Sequence, residues 1–257
     1  HERLRHILRS LSQWHERWAF CGASAAVMHG LDCSYRQLHP IHVAVGRNSR
    51  PRNQRYVRFH VLDDAETVAV DGARVTSILR TLVDCAAMMP RRYAMAPIDS
   101  ALRQGKTTVE QMLEYVDAIP MLRDRERIRA VLAQGDGRVE NGGESECRAV
   151  LDELGFPVHR VQVEFPCLSH PGRVHRVDFL WERDDGTLIA GEFDGVQKYV
   201  DPLMTAGWTI RQVVDDERDR QQCLSRRGVD MVRMFYRDLD NAQVLAYRLE
   251  QARVPRR

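Results

Sequence analysis

"RVHRVDFLWERDDGTLIAGEFDG", residues 173–195, is two apolar runs joined by a polar turn. The runs "RVHRVDFLW" (173–181) and "TLIAGEF" (187–193) flank "RDDG" (183–186). An Asp-Gly step between two such runs is a strong short-range hairpin signal. Folded about that turn, the strands run antiparallel, and Asp178 can lie across from Glu192. Glu192 and Asp194 stand two residues apart, so a regular strand points both to one face. Gly195 makes a turn and Lys198 follows. A strand that otherwise reads as buried thus delivers carboxylates and an ammonium to one end.

The surrounding segments extend the hairpin into a sheet. "ESECRAVLDELGF" (144–156) reads as a helix ended by Gly155, and "RVQVEF" (160–165) alternates as a strand does. Beyond the hairpin, "IRQVVDDERDRQQCLSRRG" (210–228) is a long helix closing on Gly228. "VDMVRMF" (229–235) is a further strand, and 238–252 a final helix. The order is αβββαβ plus a helix, a mixed sheet with helices on its faces.

The first half has a different style. Residues 1–18 form an amphipathic pattern with Leu4, Ile7, Leu8, Leu11, Trp14 and Trp18 on one side. "CGASAAVMHGL" (21–31) is a small-residue helix, in which His29 reads as a packing residue. "IHVAV" (41–45), "YVRFHVL" (56–62) and "TVAV" (67–70) are short strands. "VTSILRTLVDCAAMM" (75–89) is a helix with Thr76 or Ser77 as its cap, and helices fit 93–104, 107–118 and 122–134. The Gly, Asn and Asp content of "AQGDGRVENGG" (133–143) marks a linker. The expected organisation is an α+β two-domain chain: a mixed helix and short-strand domain over 1–135, a linker over 136–143 and a second domain over 144–257.

Composition narrows the classes. With 257 residues, 44% apolar and 29% charged, the chain is that of a globular protein. No apolar run approaches the ~20 residues of a membrane span, and "HERLRHILRS" is not a signal peptide. The six cysteines show no C-x-x-C and no zinc-type spacing, so a structural zinc site is not expected. Scattered, buried cysteines point to a reducing, cytoplasmic compartment. Residues 1–135 carry 20 Lys+Arg against 14 Asp+Glu, and 136–257 carry 18 against 22. A basic half beside an acidic half suits a nucleic-acid-facing module joined to a carboxylate-rich site, although ordinary surface variation gives such a split too. "GRNSRPRNQR" (46–55) holds Arg50, Arg52 and Arg55 in a loop with no acid, a candidate phosphate contact or a solvated loop. Of 38 basic residues 36 are Arg, so a Lys kept at 198 suggests a need for a compact ammonium.

Asp178 and Glu192, with Asp194 beside them, are hard oxygen ligands of the kind Mg²⁺ or Mn²⁺ takes. Such an ion activates water and stabilises charge on a phosphoryl group, and Lys198 would orient the water or neutralise the phosphate. One Asp–Glu pair in a hairpin is also common, and Asp178 could instead pair with Arg176 or Arg218.

Taken together, "ESECRAVLDELGFP", "QVEF", "RVDFLW", "GEFDGVQKY", "ERDRQQCLSRRG" and "VDMVRMFYRDL" resemble the nuclease-like domains grouped with the very-short-patch-repair endonucleases of the PD-(D/E)XK superfamily. The resemblance covers about residues 141–240. It implies a restriction-endonuclease-like αβββαβ core with Asp178 and Glu192 as metal ligands and Glu144 completing the site. Asp194 stands where the superfamily's short motif often has Lys, and Lys198 would supply that ammonium from the following turn. Gln197 and Tyr199 are weaker members. Arg220, with Arg176 and Arg218, would meet phosphate or hold the site together, while Gln221 and Gln222 depart from a more acidic helix. The first half, through "WAFCGASAAVMHGL", "IHVAV" and "VTSILRTLVDCA", resembles the AbiEi-type antitoxin domain of abortive-infection systems. Those proteins usually begin with a DNA-binding winged helix, which a sequence starting at His1 is expected to lack, whether lost or trimmed.

The residues admit three functions. One is a Mg²⁺- or Mn²⁺-dependent endonuclease acting on DNA in bacterial defence or repair, for which a homodimer would suit double-strand cleavage. Another is a DNA-binding regulator or antitoxin-like protein that keeps a nuclease fold without cutting; neutralisation of a cognate toxin through the first domain is the third, compatible with the first.

Overall fold

The computed structural model describes residues 1–49, 51–62, 65–194 and 210–257, without the side chains of 194 and 210–217. The chain divides into two compact units, His1–Glu146 and Cys147–Arg257. It is an α+β architecture with one mixed sheet in each unit.

The first unit opens with α1 (Glu2–Trp14), whose Leu4 and Leu8 are buried. Trp14, expected on the apolar face, is 82% exposed because the helix ends there. A five-stranded sheet follows: β1 (Ala19–Phe20), β2 (Ile41–Val45), β3 (Val57–Val61), β4 (Thr67–Val70) and β5 (Ala73–Thr76). Their spatial order is β3-β2-β1-β5-β4, so β3 lies at one edge. The small-residue segment forms α2 (Gly22–Met28), buried along its length. Ala and Gly there allow close backbone approach, and packing rather than chemistry accounts for them. The segment expected as one helix from residue 75 divides. Its start is β5, and Ser77 then caps α3 (Ile78–Met88) by accepting the Arg80 N–H. Alternation in "ARVT" pairs with β4, which outweighs helix propensity. Three helices, α4 (Arg91–Arg103), α5 (Val109–Ala118) and α6 (Arg125–Leu132), complete the layer.

Residues 136–143, glycine-rich and expected as a linker, are packed into this unit. A Cβ at Gly135 would lie 2.6 Å from Leu102 and one at Gly137 3.0 Å from the Leu102 backbone. Asp136 N–H donates to Asp99 (2.8 Å), and Val139 is fully buried. These glycines serve close approach to α4. The division of the chain falls inside the next helix, α7 (Gly142–Glu153).

The second unit has a four-stranded sheet in sequential order: β6 (Arg160–Pro166), β7 (Val174–Glu182), β8 (Leu188–Asp194) and β9 (Val229–Phe235). The first three are antiparallel, and β9 joins β8 in parallel through α8 (Ile210–Arg226). The αβββαβ order is the expected one, followed by the short α9 (Tyr236–Leu239) and α10 (Ala242–Gln251). The hairpin turn forms at 183–187: Gly186 takes φ +81°, and Asp185 accepts the Thr187 N–H (2.9 Å). Burial alternates over the first half of β7 and is continuous from Phe179 to Trp181, where both faces of the sheet are covered. Val177, Leu180 and Ala190 pack with Phe165, Leu224 and Val229, while Phe179 and Trp181 are also fully buried. Each buried Val, Leu or Phe side chain among them contributes about 1.5–3 kcal/mol relative to an exposed one.

Candidate functional site

The β7–β8 register pairs Phe179 with Gly191 and Leu180 with Ala190. Continued by one step, it sets Asp178 opposite Glu192 on one face, where the ladder ends. There Asp178 Oδ2 accepts the Phe193 N–H (2.8 Å). Gly191 makes this end possible: a Cβ on it would lie 2.7 Å from Trp181 Cζ3 and 3.1 Å from Met234 Cε. The glycine lets the Trp181 ring lie against β8 just before Glu192 emerges on the other face.

Glu192 is only 4% exposed. In the parallel ladder it stands beside Arg233, and from α8 Arg220 Nη2 donates to Glu192 Oε1. The same Nη2 reaches the Arg176 carbonyl (2.5 Å) on β7. Arg220 therefore links α8 to both hairpin strands, with its charge on the carboxylate expected to hold a metal. A buried carboxylate needs such a partner, since desolvating a lone charge is expensive.

The other expected site residues fall as follows. Arg176 and Arg218 are exposed. Asp194 ends β8, with its side chain outside the description, and Gln197, Lys198 and Tyr199 lie outside the described residues. Glu144 lies in the first unit, on the opening turn of α7. It is 4% exposed, and it accepts the Glu140 N–H (3.0 Å) and the Asn141 side-chain amide (2.5 Å). Those bonds tie the carboxylate to the entry of its own helix, where an acid also favours the helix dipole.

In the first unit, Arg47, Arg52, Arg55 and Arg58 are exposed on edge strand β3 and the loop before it. Arg50 lies outside the described residues. Arg55 sits over the Tyr56 ring, 5.1 Å from its centroid. Beneath this edge His42 Nδ1 and His60 Nε2 are 2.8 Å apart. Burial, then the His60 and Arg58 charges, push His42 down to about 4, and burial with Arg58 lowers His60 as well. Both imidazoles are therefore neutral at physiological pH, sharing one hydrogen between them. On α3, burial raises Asp84 to about 6 although Arg80, at 2.8 Å, draws it down, so the pair is ionic at pH 7. His29 is satisfied by the Thr76 carbonyl (2.8 Å), as a packing residue would be.

One constellation was illegible in the sequence. Cys167, His175 and Cys223 bring their ligating atoms within 4.8 Å of one another. They come from the loop after β6, from β7 and from α8, so their separation along the chain carries no motif. Partial burial disfavours the Cys167 thiolate. The imidazole of His170, the backbone N–H groups of Ser169 and His170 and the imidazole of His175 outweigh it and hold the thiol down to about 6.

Residues 18–134 match the family model of the AbiEi antitoxin C-terminal domain. That segment contains the sheet and helices α2 to α6 of the first unit. Two curated proteins are similar over a longer span: the uncharacterized proteins MT2308 and Rv2248 of two Mycobacterium tuberculosis strains. Each is 29% identical over 217 residues, covering 78% of this chain and 76% of the relative. Among the described residues, no helix is long and apolar enough to cross a membrane.

Proposed function

We propose that the chain is an antitoxin-like regulator that binds DNA and a cognate toxin and keeps a nuclease-like sheet as a structural and binding module. The observation that carries this is the Arg220–Glu192 pair. The acid most needed for a divalent ion is buried and already neutralised by a guanidinium. The AbiEi antitoxin match over 18–134 supports the same reading from the other unit. Exposed Arg52, Arg55 and Arg58 supply a basic edge suited to phosphate. The test incubates the protein with plasmid and single-stranded DNA in Mg²⁺, Mn²⁺ or EDTA, beside Glu192→Ala and Asp178→Ala. The expected result is salt-dependent DNA binding with no metal-dependent nicking.

A second reading rests on a specific observation, the placement of Asp178 and Glu192 on one face at the end of the hairpin. On that reading Asp178 and Glu192 would hold Mg²⁺ or Mn²⁺ in place of the Arg220 contact. The ion would supply charge stabilisation and an activated water for phosphodiester hydrolysis, and Lys198 would be the ammonium that orients that water. Nicking present in wild type and lost in Glu192→Ala would establish it and overturn the regulator.

A further inference from the structure

We propose that Cys167, His175 and Cys223 form a zinc site in the second unit, with His170 as the fourth ligand. Cys167 Sγ and Cys223 Sγ are 3.6 Å apart. Two thiolates on one tetrahedral zinc, each at about 2.3 Å, stand about 3.8 Å apart, whereas a disulfide needs about 2.05 Å. His170 Nδ1 lies 3.9 Å from Cys167 Sγ. His175 is 4% exposed, and its Nε2 is buried without a hydrogen-bond partner. A buried imidazole nitrogen left unsatisfied is costly, and a metal is a partner that neutral imidazole takes readily. Two thiolates with imidazole select a soft or borderline ion, zinc above magnesium.

The surroundings are those of a built site. Cys167 N–H donates to the Arg173 carbonyl (2.7 Å), which closes the loop that carries His170. Leu168 N–H donates to Cys223 Sγ (3.1 Å), an outer bond of the kind that orients a thiolate ligand. Zinc would take both sulfurs as thiolates and tie the β6–β7 loop and the start of β7 to α8. On α8, Cys223 and Arg220 are three residues apart and share a face. The ion would therefore fix the helix that sets Arg220 on Glu192. This assignment is independent of whether the sheet cuts DNA.

The test uses the full chain, reduced and stripped of metal with EDTA, then titrated with Zn²⁺ against a chromophoric chelator and separately with Co²⁺. The expected result is one ion per chain, a tetrahedral cobalt spectrum with a thiolate charge-transfer band, and a higher melting temperature with zinc. Cys167→Ser and Cys223→Ser should each weaken zinc binding by more than about 100-fold, and Cys33→Ser in the first unit should not change it. Absent stoichiometric binding, binding that survives both substitutions, or a cobalt spectrum without the thiolate band would overturn the site. So would a Cys167–Cys223 disulfide in protein kept under reductant. Should buried Cys223→Ser fail to fold, the half-buried Cys167→Ser and the wild-type cobalt spectrum decide the matter.

Discussion

Arg220 on α8 holds the carboxylate of Glu192 on β8, and the same guanidinium nitrogen holds the Arg176 carbonyl on β7. One side chain thus joins the helix to the hairpin at the point where the ladder between β7 and β8 ends. It couples a stability question to a functional one. The residue that makes a buried glutamate tolerable is also the residue that competes with any metal for it.

Removing that cation should expose the cost. Arg220→Met leaves Glu192 charged and 4% exposed, and breaking one half of a buried pair costs about 3–5 kcal/mol. The double variant Glu192→Gln/Arg220→Met should recover part of the loss, because no charge is then stranded. Urea unfolding followed by near-UV circular dichroism would measure both. A shift below about 0.5 kcal/mol for Arg220→Met would mean that the pair does not hold the sheet.

Gly191→Ala tests the packing that delivers Glu192. Its Cβ would lie 2.7 Å from Trp181 Cζ3, with Met234 behind at 3.1 Å. Trp181 is fully buried, so neither the ring nor β8 can yield without disturbing the core. Overpacking of this kind costs about 1–3 kcal/mol. The loss of unfolding free energy should come with an altered near-UV signal from Trp181. An unchanged midpoint would show that β8 shifts freely and that Glu192 is not held in register.

Much of this architecture was legible in residue order. The hairpin from "RVDFLW" to "TLIAGEF" announced itself because alternation and an Asp-Gly turn are local. So did α8 and β9, bounded by Gly228. The two-residue β1 and the strand β5 were not legible, because each exists only through its partners. The packing of residues 136–143, expected as a linker, was illegible for a related reason. Glycine signals a loop and close packing alike, and only α4 tells which. Asp178 and Glu192 could be paired from the turn, whereas the hold of Arg220 on Glu192 spans 28 residues and needs the third dimension. The Cys167–His175–Cys223 cluster draws on three elements for the same reason. Spacing finds metal ligands only when a short motif supplies them.

The histidine pair sets a pH window for the first unit. His42 is lowered from 6.5 to about 4 by burial, then by His60 and Arg58. The folded state therefore binds its proton more weakly than the unfolded chain. Stability is complete above about pH 6.5 and is lost as pH falls toward 4, by about 3 kcal/mol at most. Below 4 both states are protonated and the loss levels off. Thermal melts of wild type and His42→Asn from pH 7 to 4.5 would show it, because carboxylates common to both cancel in the comparison. The wild type should lose more of its midpoint on acidification, and equal slopes would remove the pair from the account.

The proposed DNA binding gives the basic edge of β3 a measurable salt dependence. Arg52 and Arg55 are exposed in the loop leading to the edge, and Arg58 is exposed on the strand itself. Each phosphate contact contributes about 0.9 to the slope of log K against log salt. Arg52→Ala/Arg55→Ala should therefore flatten that slope by about 2 and weaken binding to unrelated duplexes alike, since phosphate contacts carry no sequence information. Arg218→Ala, in the second unit, gives the contrast. If it flattens the slope while the loop variant leaves it unchanged, the phosphate-facing surface is α8 rather than β3. Fluorescence anisotropy across a salt series on two duplexes of different sequence would decide between them.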